Sequence, residues 1–434
     1  MNDPRQAAFA VLTKMQKSGA YSTLAVDSAA GAFGADSTAR AFFTKLVYGV
    51  TERQITLDYV FSRYLTKPIK TLKPEVLTAL RMGTYQLLYL ERVPDSAAVN
   101  ESVKLIKENG FAFAAGLVNA VLRNVARDGA NLPQGDEPNA LSVRYSAPVE
   151  LVNLLCHHYG RENTERFLQS ALEPKRQTVH VNTLKTTPQA LMEHLQSEGV
   201  ECEPTRLPDA LYVSGSLTAL TAYAEGLFHT EDVASQLCAQ TLALKPGDTF
   251  IDLCAAPGGK TFTAAELMHD EGTVIACELH PQRAELIRQG AERLGLTCVQ
   301  TKVADAAEFD PDLPEADAVL CDVPCSGLGV IGKKPEIKYK NLDDVKELLP
   351  VQFAILCTGS RYVKHGGRLV YSTCSVNPAE NRKICDKFLA QAPEFHTVPV
   401  LPDEPRAVDE GDYITLFPHI HSCDGFFIAA FERD

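Results

Sequence analysis

The chain has 434 residues, of which 45% are hydrophobic and 22% are charged, and its formal net charge is −13 at pH 7. This length exceeds one ordinary domain and predicts two or three. No apolar run reaches the roughly 18 to 20 residues of a membrane span, and the N-terminus lacks the pattern of a secretory signal. The composition therefore predicts a cytoplasmic protein without a membrane partner.

All twelve cysteines lie between Cys156 and Cys423, and no two of them are spaced as C-x-x-C. This spacing does not predict a zinc knuckle or a thioredoxin-type redox site, and we expect no metal. In a reducing compartment most of these cysteines are expected to be small buried apolar residues.

The charge is unevenly divided along the chain. Residues 1–140 carry a net charge of +3, whereas the remainder carries −16. The difference weakly indicates that the first third contacts a polyanion, and ordinary solvated faces would also produce it.

Three segments differ in their patterns. In residues 1–128 apolar side chains recur at spacings of three and four, which predicts a helical bundle over residues 1–130. A polar linker rich in glycine and proline follows at 128–138. Residues 140–235 mix a helix at 188–199 with short strands, which predicts an α/β subdomain that links the other two segments.

The third segment, residues 236–434, alternates short apolar strands with helices of about ten residues or more. This alternation predicts a doubly wound parallel sheet of the Rossmann-like type. The predicted strands are 249–253, 273–277, 297–301, 316–321 and 367–372, the helices are 260–268, 281–295 and 342–363, and a terminal hairpin pairs 413–417 with 425–431. The predicted fold class is a multidomain chain, an all-α bundle followed by an α/β domain.

The turn after the first of these strands is small and glycine-rich. It runs from Cys254 through Ala255, Ala256, Pro257, Gly258 and Gly259 to Lys260 and Thr261. Its end resembles a phosphate-binding loop, but the opening glycine of that motif is replaced by Cys254, so nucleotide hydrolysis is not expected. A turn of small residues lets a ligand approach the backbone.

Acidic residues follow three later strands. Glu278 ends the second strand and is suited to accept hydrogen bonds from ribose hydroxyls, and Asp305 after the third is suited to accept from an adenine amine. Asp322 follows the fourth strand. Any one of them is often a helix cap or a turn former, but three at successive strand ends favour a nucleoside-containing cofactor.

Two cysteines also follow strands, in surroundings of Pro, Ser, Thr and Gly. Cys325 lies in Asp-Val-Pro-Cys-Ser-Gly, and Cys374 lies in Ser-Thr-Cys-Ser. Strands that end at one edge of a parallel sheet can bring both thiols into a single cleft. A helix predicted near Pro378 would favour a Cys374 thiolate through its N-terminal dipole.

These motifs together resemble the S-adenosylmethionine-dependent RNA cytosine-5 methyltransferases. The resemblance implies that Cys374 is the nucleophile and that Cys325 assists product release. From the chemistry of this reaction we assign Asp322 to hold the pyrimidine edge, and Lys260 together with Cys325 to the later steps. The residues implied to bind S-adenosylmethionine are Cys254, Ala255, Ala256, Pro257, Gly258, Gly259, Lys260, Glu278, Arg283, Asp305 and Asp322.

The first domain resembles the NusB-like RNA-binding bundle, through Leu46–Val50, Val99–Val103 and Val118–Arg123. Both domains in this order are similar to the bacterial family that methylates a cytosine of 16S ribosomal RNA. The resemblance implies an rRNA substrate, RNA contacts by the linking subdomain at 140–235, and a monomer. Two alternatives stay open, an enzyme of the same chemistry acting on transfer RNA, and a non-catalytic RNA-binding or antitermination factor.

Overall fold

The computed structural model describes residues 3–18, 23–34 and 36–434. The chain divides into two units, the first formed by Met1–Cys156 with Lys334–Tyr339 and the second by His157–Lys333 with Lys340–Asp434. None of the described helices is long and apolar enough to cross a membrane.

The described residues of the first unit form helices joined by loops, and no strands. Its helices are α1 (Pro4–Ser18), α2 (Thr23–Gly31), α3 (Ser37–Glu52), α4 (Gln54–Ser62), α5 (Pro74–Tyr89), α6 (Asp95–Glu108), α7 (Ala115–Asp128) and α8 (Pro138–Tyr145). The apolar stripes predicted from the sequence form one core, in which Leu46, Leu80 and Leu122 are fully buried. The segment Lys334–Tyr339 joins this unit, and its Lys338 ammonium donates to the backbone carbonyl of Glu52 at 2.7 Å.

The chain enters the second unit through α9 (Val149–Ala171), which is broken at Gly160, where φ is 75°. A small antiparallel sheet follows, with strand order β2-β3-β1-β4. Its elements are β1 (Gln177–Val181), α10 (Pro188–Ser197), β2 (Cys202–Pro204), β3 (Ala210–Val213), α11 (Thr221–Ala224) and β4 (Phe228–Thr230).

The second sheet has eight strands, and seven of them run in the order β10-β12-β9-β8-β5-β6-β7, with β11 paired to β12. Its strands are β5 (Thr249–Asp252), β6 (Thr273–Glu278), β7 (Val299–Val303), β8 (Ala316–Asp322), β9 (Val363–Thr373), β10 (Phe395–Val398), β11 (Ile414–Leu416) and β12 (Phe426–Arg433). The helices around it are α12 (Val233–Gln240), α13 (Gly259–Leu267), α14 (Pro281–Leu294), α15 (Val345–Ser360), α16 (Arg382–Leu389) and α17 (Pro418–His421).

Strands β5 to β9 are parallel, while β12 pairs antiparallel with β9. Their successive apolar residues serve opposite faces of the sheet. Phe250 packs into the core on one face and Ile251 into the core on the other, and both are fully buried. A parallel sheet covered on both faces explains why these strands are continuous apolar runs in the sequence.

The chain reverses its direction of winding at β5. It adds β6 and β7 on one side, then returns to place β8 on the other side of β5. The loops that follow β5 and β8 therefore diverge and leave a crevice at the carboxyl ends of the strands, where open α/β sheets bind ligands.

The structure confirms the predicted fold class and corrects one local element. The helix predicted near Pro378 is wrong in its start, because residues 378–381 form turns and α16 begins at Arg382. Cys374 therefore lies eight residues before the helix, too far for the first-turn dipole effect. The terminal hairpin is present as β11 and β12, with Ile414 opposite Ile428.

Candidate active site

The two cysteine motifs meet at the carboxyl edge of the second sheet. Cys325 follows β8 and Cys374 follows β9, and these strands are parallel neighbours. The Sγ atoms are 2.9 Å apart, and both cysteines are free thiols. The backbone N–H of Gly329 also donates to the carbonyl of Cys374 at 2.9 Å, so the two loops are joined by their main chains as well.

The two thiols are not equivalent. The hydrogen bond from Cys325 lowers the pKa of Cys374, against the opposing effect of burial, and the Lys260 ammonium adds to the lowering. The same hydrogen bond raises the pKa of Cys325 well above its usual value, and burial raises it further. The hydrogen bond between the two thiols therefore shifts their pKa values in opposite directions, and it favours the thiolate form at Cys374 over that at Cys325.

Lys260 and Asp322 form an ion pair beside the thiols. Lys260 Nζ lies 2.8 Å from Asp322 Oδ2, and the hydroxyl of Ser372 donates to Asp322 Oδ1 at 2.7 Å. Burial lowers the pKa of Lys260, but the Asp322 carboxylate outweighs burial and keeps the lysine protonated. In this state Lys260 is a cation and a hydrogen-bond donor.

The turn after β5 is supported from beneath by Asp252. Its carboxylate accepts from the Thr261 hydroxyl at 2.8 Å and from the Cys254 N–H at 3.3 Å. Burial raises the pKa of Asp252 to about 7, although the Thr261 hydrogen bond opposes this rise. Gly258 has φ 115°, and a Cβ at this position would overlap the Phe262 ring, so the turn needs glycine here.

Glu278 is buried at the end of β6 and reaches the same turn through Arg283. Its Oε1 accepts from the His280 N–H at 3.0 Å, and both carboxylate oxygens lie 3.3 Å from Arg283 Nη1. The guanidinium also donates to the carbonyl of Ala256 at 2.9 Å. Leu279 follows with 53% of its surface exposed, next to the buried acid.

Asp305 lies after β7 and is exposed. One of its carboxylate oxygens accepts from the Ala307 N–H at 2.9 Å, which makes it a turn former. Of the other predicted turn residues, Cys254 to Gly258 lie between β5 and α13, and Gly259 and Lys260 begin α13. The Ala255 N–H donates to the Cys277 carbonyl at 2.9 Å. The structure thus brings the turn, Glu278 and Asp322 to one edge of the sheet.

Comparison with known proteins gives family models for three ranges. Residues 239–432 match the 16S rRNA methyltransferase RsmB/F model, residues 2–127 match the NusB family, and residues 147–219 match the ferredoxin-like domain of the RsmF/B-like methyltransferases. The "Probable ribosomal RNA small subunit methyltransferase B" of Bacillus subtilis is 35% identical over 99% of this chain and 98% of its own length. The chain belongs to the 16S rRNA methyltransferase RsmB/F family.

Two further matches span the whole chain. The protein of the same description from Synechocystis is 35% identical over 100% of both chains. The crystal structure of PH0851 covers 100% of both chains with a TM-score of 0.81 and 28% identity. As a family member the protein is a 16S rRNA cytosine-C5 methyltransferase, and its family implies the use of S-adenosylmethionine.

Sequence reasoning missed a fully buried carboxylate behind the two thiols, that of Glu380. It accepts hydrogen bonds from the loops of both cysteines, through Ser326 and Ser375. The signal available in the sequence was weak, since a lone acid in a turn before a helix is usually solvated. Among the described residues no cluster of three or more His, Cys, Asp or Glu side chains is arranged to hold a metal ion.

Proposed function

We propose that this enzyme methylates C5 of a cytosine in 16S rRNA through a covalent adduct between Cys374 and C6 of the base. The observation that carries the proposal is the thiol pair, whose Sγ atoms are 2.9 Å apart and in which the hydrogen bond from Cys325 lowers the pKa of Cys374. Cytosine C5 is too weak a nucleophile to take a methyl group unaided. Addition of a thiolate at C6 converts the ring into an enamine that can attack through C5.

Asp322 is positioned to hold the pyrimidine edge. Its two oxygens are fixed by the Lys260 ammonium and the Ser372 hydroxyl, and each oxygen has a remaining lone pair for a base. The exocyclic N4 amine of cytosine is a donor that matches a carboxylate acceptor. Lys260 would balance the charge of Asp322 while Cys374 adds to the ring.

Cys325 changes character as the reaction proceeds. While Cys374 is a thiolate, its charge and its hydrogen bond raise the pKa of Cys325. Once Cys374 has formed a thioether with C6, both of these influences are gone, so the pKa of Cys325 falls. Cys325 can then release its proton to water, and the resulting Cys325 thiolate takes up the C5 proton. The C5–H electron pair restores the C5–C6 double bond as the C6–S bond breaks, and Cys374 leaves as a thiolate.

The residues around the β5 turn fit S-adenosylmethionine, which supplies an electrophilic methyl group. Glu278, buried and fixed by Arg283, would accept from the ribose hydroxyls, and exposed Leu279 would cover the adenine. The free oxygen of Asp305 would accept from the adenine amine. The glycine turn from Cys254 to Lys260 would let the amino-acid portion approach the backbone.

We assign RNA affinity in large part to the first unit, whose residues 1–140 are net positive while the remainder is negative. A monomer suffices for this scheme, because one chain provides both thiols, the Asp322–Lys260 pair and the cofactor residues. Family membership favours 16S rRNA over transfer RNA, and the intact cysteine pair argues against a non-catalytic factor.

The test is methyl transfer from labelled S-adenosylmethionine to unmodified 16S rRNA, with a transfer RNA mixture as the control. Nuclease digestion should place the label in 5-methylcytidine from 16S rRNA. Label in transfer RNA alone, or in a base other than cytosine, would refute the proposal.

A further inference from the structure

The Glu380 cluster consists of Glu380, Ser326, Ser375 and Gln352, and it lies behind the two thiols. Glu380 and Ser375 are fully buried, and Gln352 on α15 is fully buried too. Glu380 Oε1 accepts from the Ser326 N–H at 2.7 Å and from Gln352 Nε2 at 3.1 Å. Its Oε2 accepts from the hydroxyls of Ser326 at 2.6 Å and Ser375 at 2.7 Å.

These contacts join the two residues that directly follow the cysteines. Ser326 is the neighbour of Cys325, and Ser375 is the neighbour of Cys374. Their hydroxyl oxygens are also 2.9 Å apart. One carboxylate therefore fixes both loops at the position next to each sulfur, and Gln352 ties the arrangement to the Pro324 carbonyl at 2.9 Å.

We propose that Glu380 is a positioning residue that fixes the loops of Cys325 and Cys374 relative to each other. The two thiols then stay within hydrogen-bonding distance, and both can reach the same base. The proposal rests on the covalent mechanism proposed above. Glu380 contacts no reacting atom. It acts through the serines that adjoin the two cysteines.

The buried carboxylate of Glu380 has an unfavourable electrostatic effect on the two thiols, which an uncharged side chain in its place would not have. The charge of Glu380 raises the pKa of both cysteines, which opposes formation of the Cys374 thiolate. The hydrogen bonds that Glu380 accepts offset this cost, because a carboxylate supplies acceptors for four donors converging on one point. A neutral side chain that kept these hydrogen bonds would therefore favour the thiolate more than Glu380 does.

Glutamine meets that requirement. In Glu380→Gln the amide oxygen can accept from the Ser326 N–H and Gln352, while the amide NH₂ can donate to the two serine hydroxyls, which are also acceptors. Alanine removes every one of these contacts and leaves the serines without their common partner. The two variants separate position from charge.

The experiment measures adduct formation in the full-length Cys325→Ala protein with 16S rRNA and S-adenosylmethionine, trapped by denaturing electrophoresis. Addition of Glu380→Ala should slow adduct formation about 100-fold, the effect of misplacing a reacting group by roughly 1 Å. Glu380→Gln should recover at least tenfold of that loss. Glu394→Ala, which changes an exposed acid near the chain surface, is the matched control and should match the parent.

A second readout separates positioning from general destabilisation. In the otherwise native enzyme, Glu380→Gln should move the pH dependence of single-turnover methylation to lower pH, because loss of the carboxylate charge lowers the pKa of Cys374. An unchanged adduct rate in folded Glu380→Ala would overturn the proposal, as would a folded Glu380→Gln protein that forms the adduct no faster than Glu380→Ala. If Glu380→Ala does not fold, Ser375→Ala, which removes one of the four donors to Glu380, takes its place, and an adduct rate equal to the parent's would overturn the proposal.

The failure of the mechanism itself would look different. If the Cys325→Ala protein with native Glu380 forms no adduct, the covalent scheme is refuted before Glu380 is tested. If that protein forms the adduct and the Glu380 variants form it at the same rate, only the positioning role is refuted.

Discussion

The two halves of the active edge are built in different ways. On the β8–β9 side the serines next to the two thiols are fixed by buried hydrogen bonds to Glu380, and the Lys260–Asp322 ion pair lies nearby. On the β6–β7 side, Asp305 is exposed and Leu279 is half exposed, and Asp305 is held only by its own turn. The cysteine half is thus preorganised before any ligand binds, whereas the β7 end of the cofactor half is open.

The difference follows from what each half has to do. A thiolate that forms a covalent bond must be placed to within fractions of an ångström, and its pKa must be lowered by neighbouring groups. Both requirements are met by a rigid hydrogen-bond network. A cofactor that arrives and leaves in every cycle needs a site it can enter. We therefore expect substitutions in the cysteine half to change the kind of reaction, and those in the cofactor half to change only affinity.

The largest effect on turnover should come from removing each of the two thiols in turn. Cys374→Ala should lose turnover by on the order of 10⁴-fold or more and form no RNA adduct, because the C6–S bond never forms. Cys325→Ala should still attack and methylate, then fail to release the base. Denaturing electrophoresis should show an RNA adduct in the second variant only, and an adduct in Cys374→Ala alone would reverse the assigned roles.

The hydrogen bond between the thiols predicts a change in the reactivity of Cys374 that can be measured without RNA. The pKa of Cys374 is lowered mainly by the hydrogen bond from Cys325, so Cys325→Ala should raise it. The rate of Cys374 alkylation by iodoacetamide should therefore rise at a higher pH in the variant than in the native protein. Mass spectrometry identifies the modified residue, and coincident pH profiles would contradict the assignment of the thiolate.

In the cofactor half, the buried Glu278 should contribute most to S-adenosylmethionine affinity. Glu278→Ala should weaken S-adenosylmethionine binding by about 1 to 3 kcal/mol, roughly 5- to 150-fold, the range for losing a charged hydrogen-bond partner. Calorimetry of the folded protein measures this, with the exposed acid Glu271→Ala as control. Unchanged affinity would remove Glu278 from the cofactor site.

Asp305 should have the smallest effect, since it is exposed and one oxygen is already occupied by the Ala307 N–H. Asp305→Ala should weaken S-adenosylmethionine by about 0.5 to 1.5 kcal/mol. Asp305→Asn keeps the turn but presents an amide donor toward the adenine amine, so it should weaken binding as much as alanine does. Native affinity in Asp305→Asn would mean that the residue only forms the turn.

The sequence was sufficient wherever local patterns decide structure. Apolar runs that end in Gly, Pro or Ser predicted the strand and the helix on either side of the glycine turn. The same pattern predicted the two cysteine loops. The start of α16 was misplaced because Pro378 is a good first-turn residue. The side chains of Glu380 and Asn381 instead make hydrogen bonds with Thr373 and Ser375. Pairings between residues about fifty positions apart, such as Ser326 with Glu380, leave no local pattern.

The segment Lys334–Tyr339 has a consequence for dissecting the protein. It lies nine residues after Cys325 in the chain, yet it folds with the first unit, where Ile337 and Lys338 are buried. Removal of residues 1–140 would therefore expose the buried side chains of Lys334–Tyr339. The chain that follows the Cys325 loop would then lack the contacts that hold it in place. A segment from the methyltransferase sequence thus belongs to the first unit. The activity of a truncated catalytic fragment would therefore reflect both the altered Cys325 loop and the loss of RNA contacts.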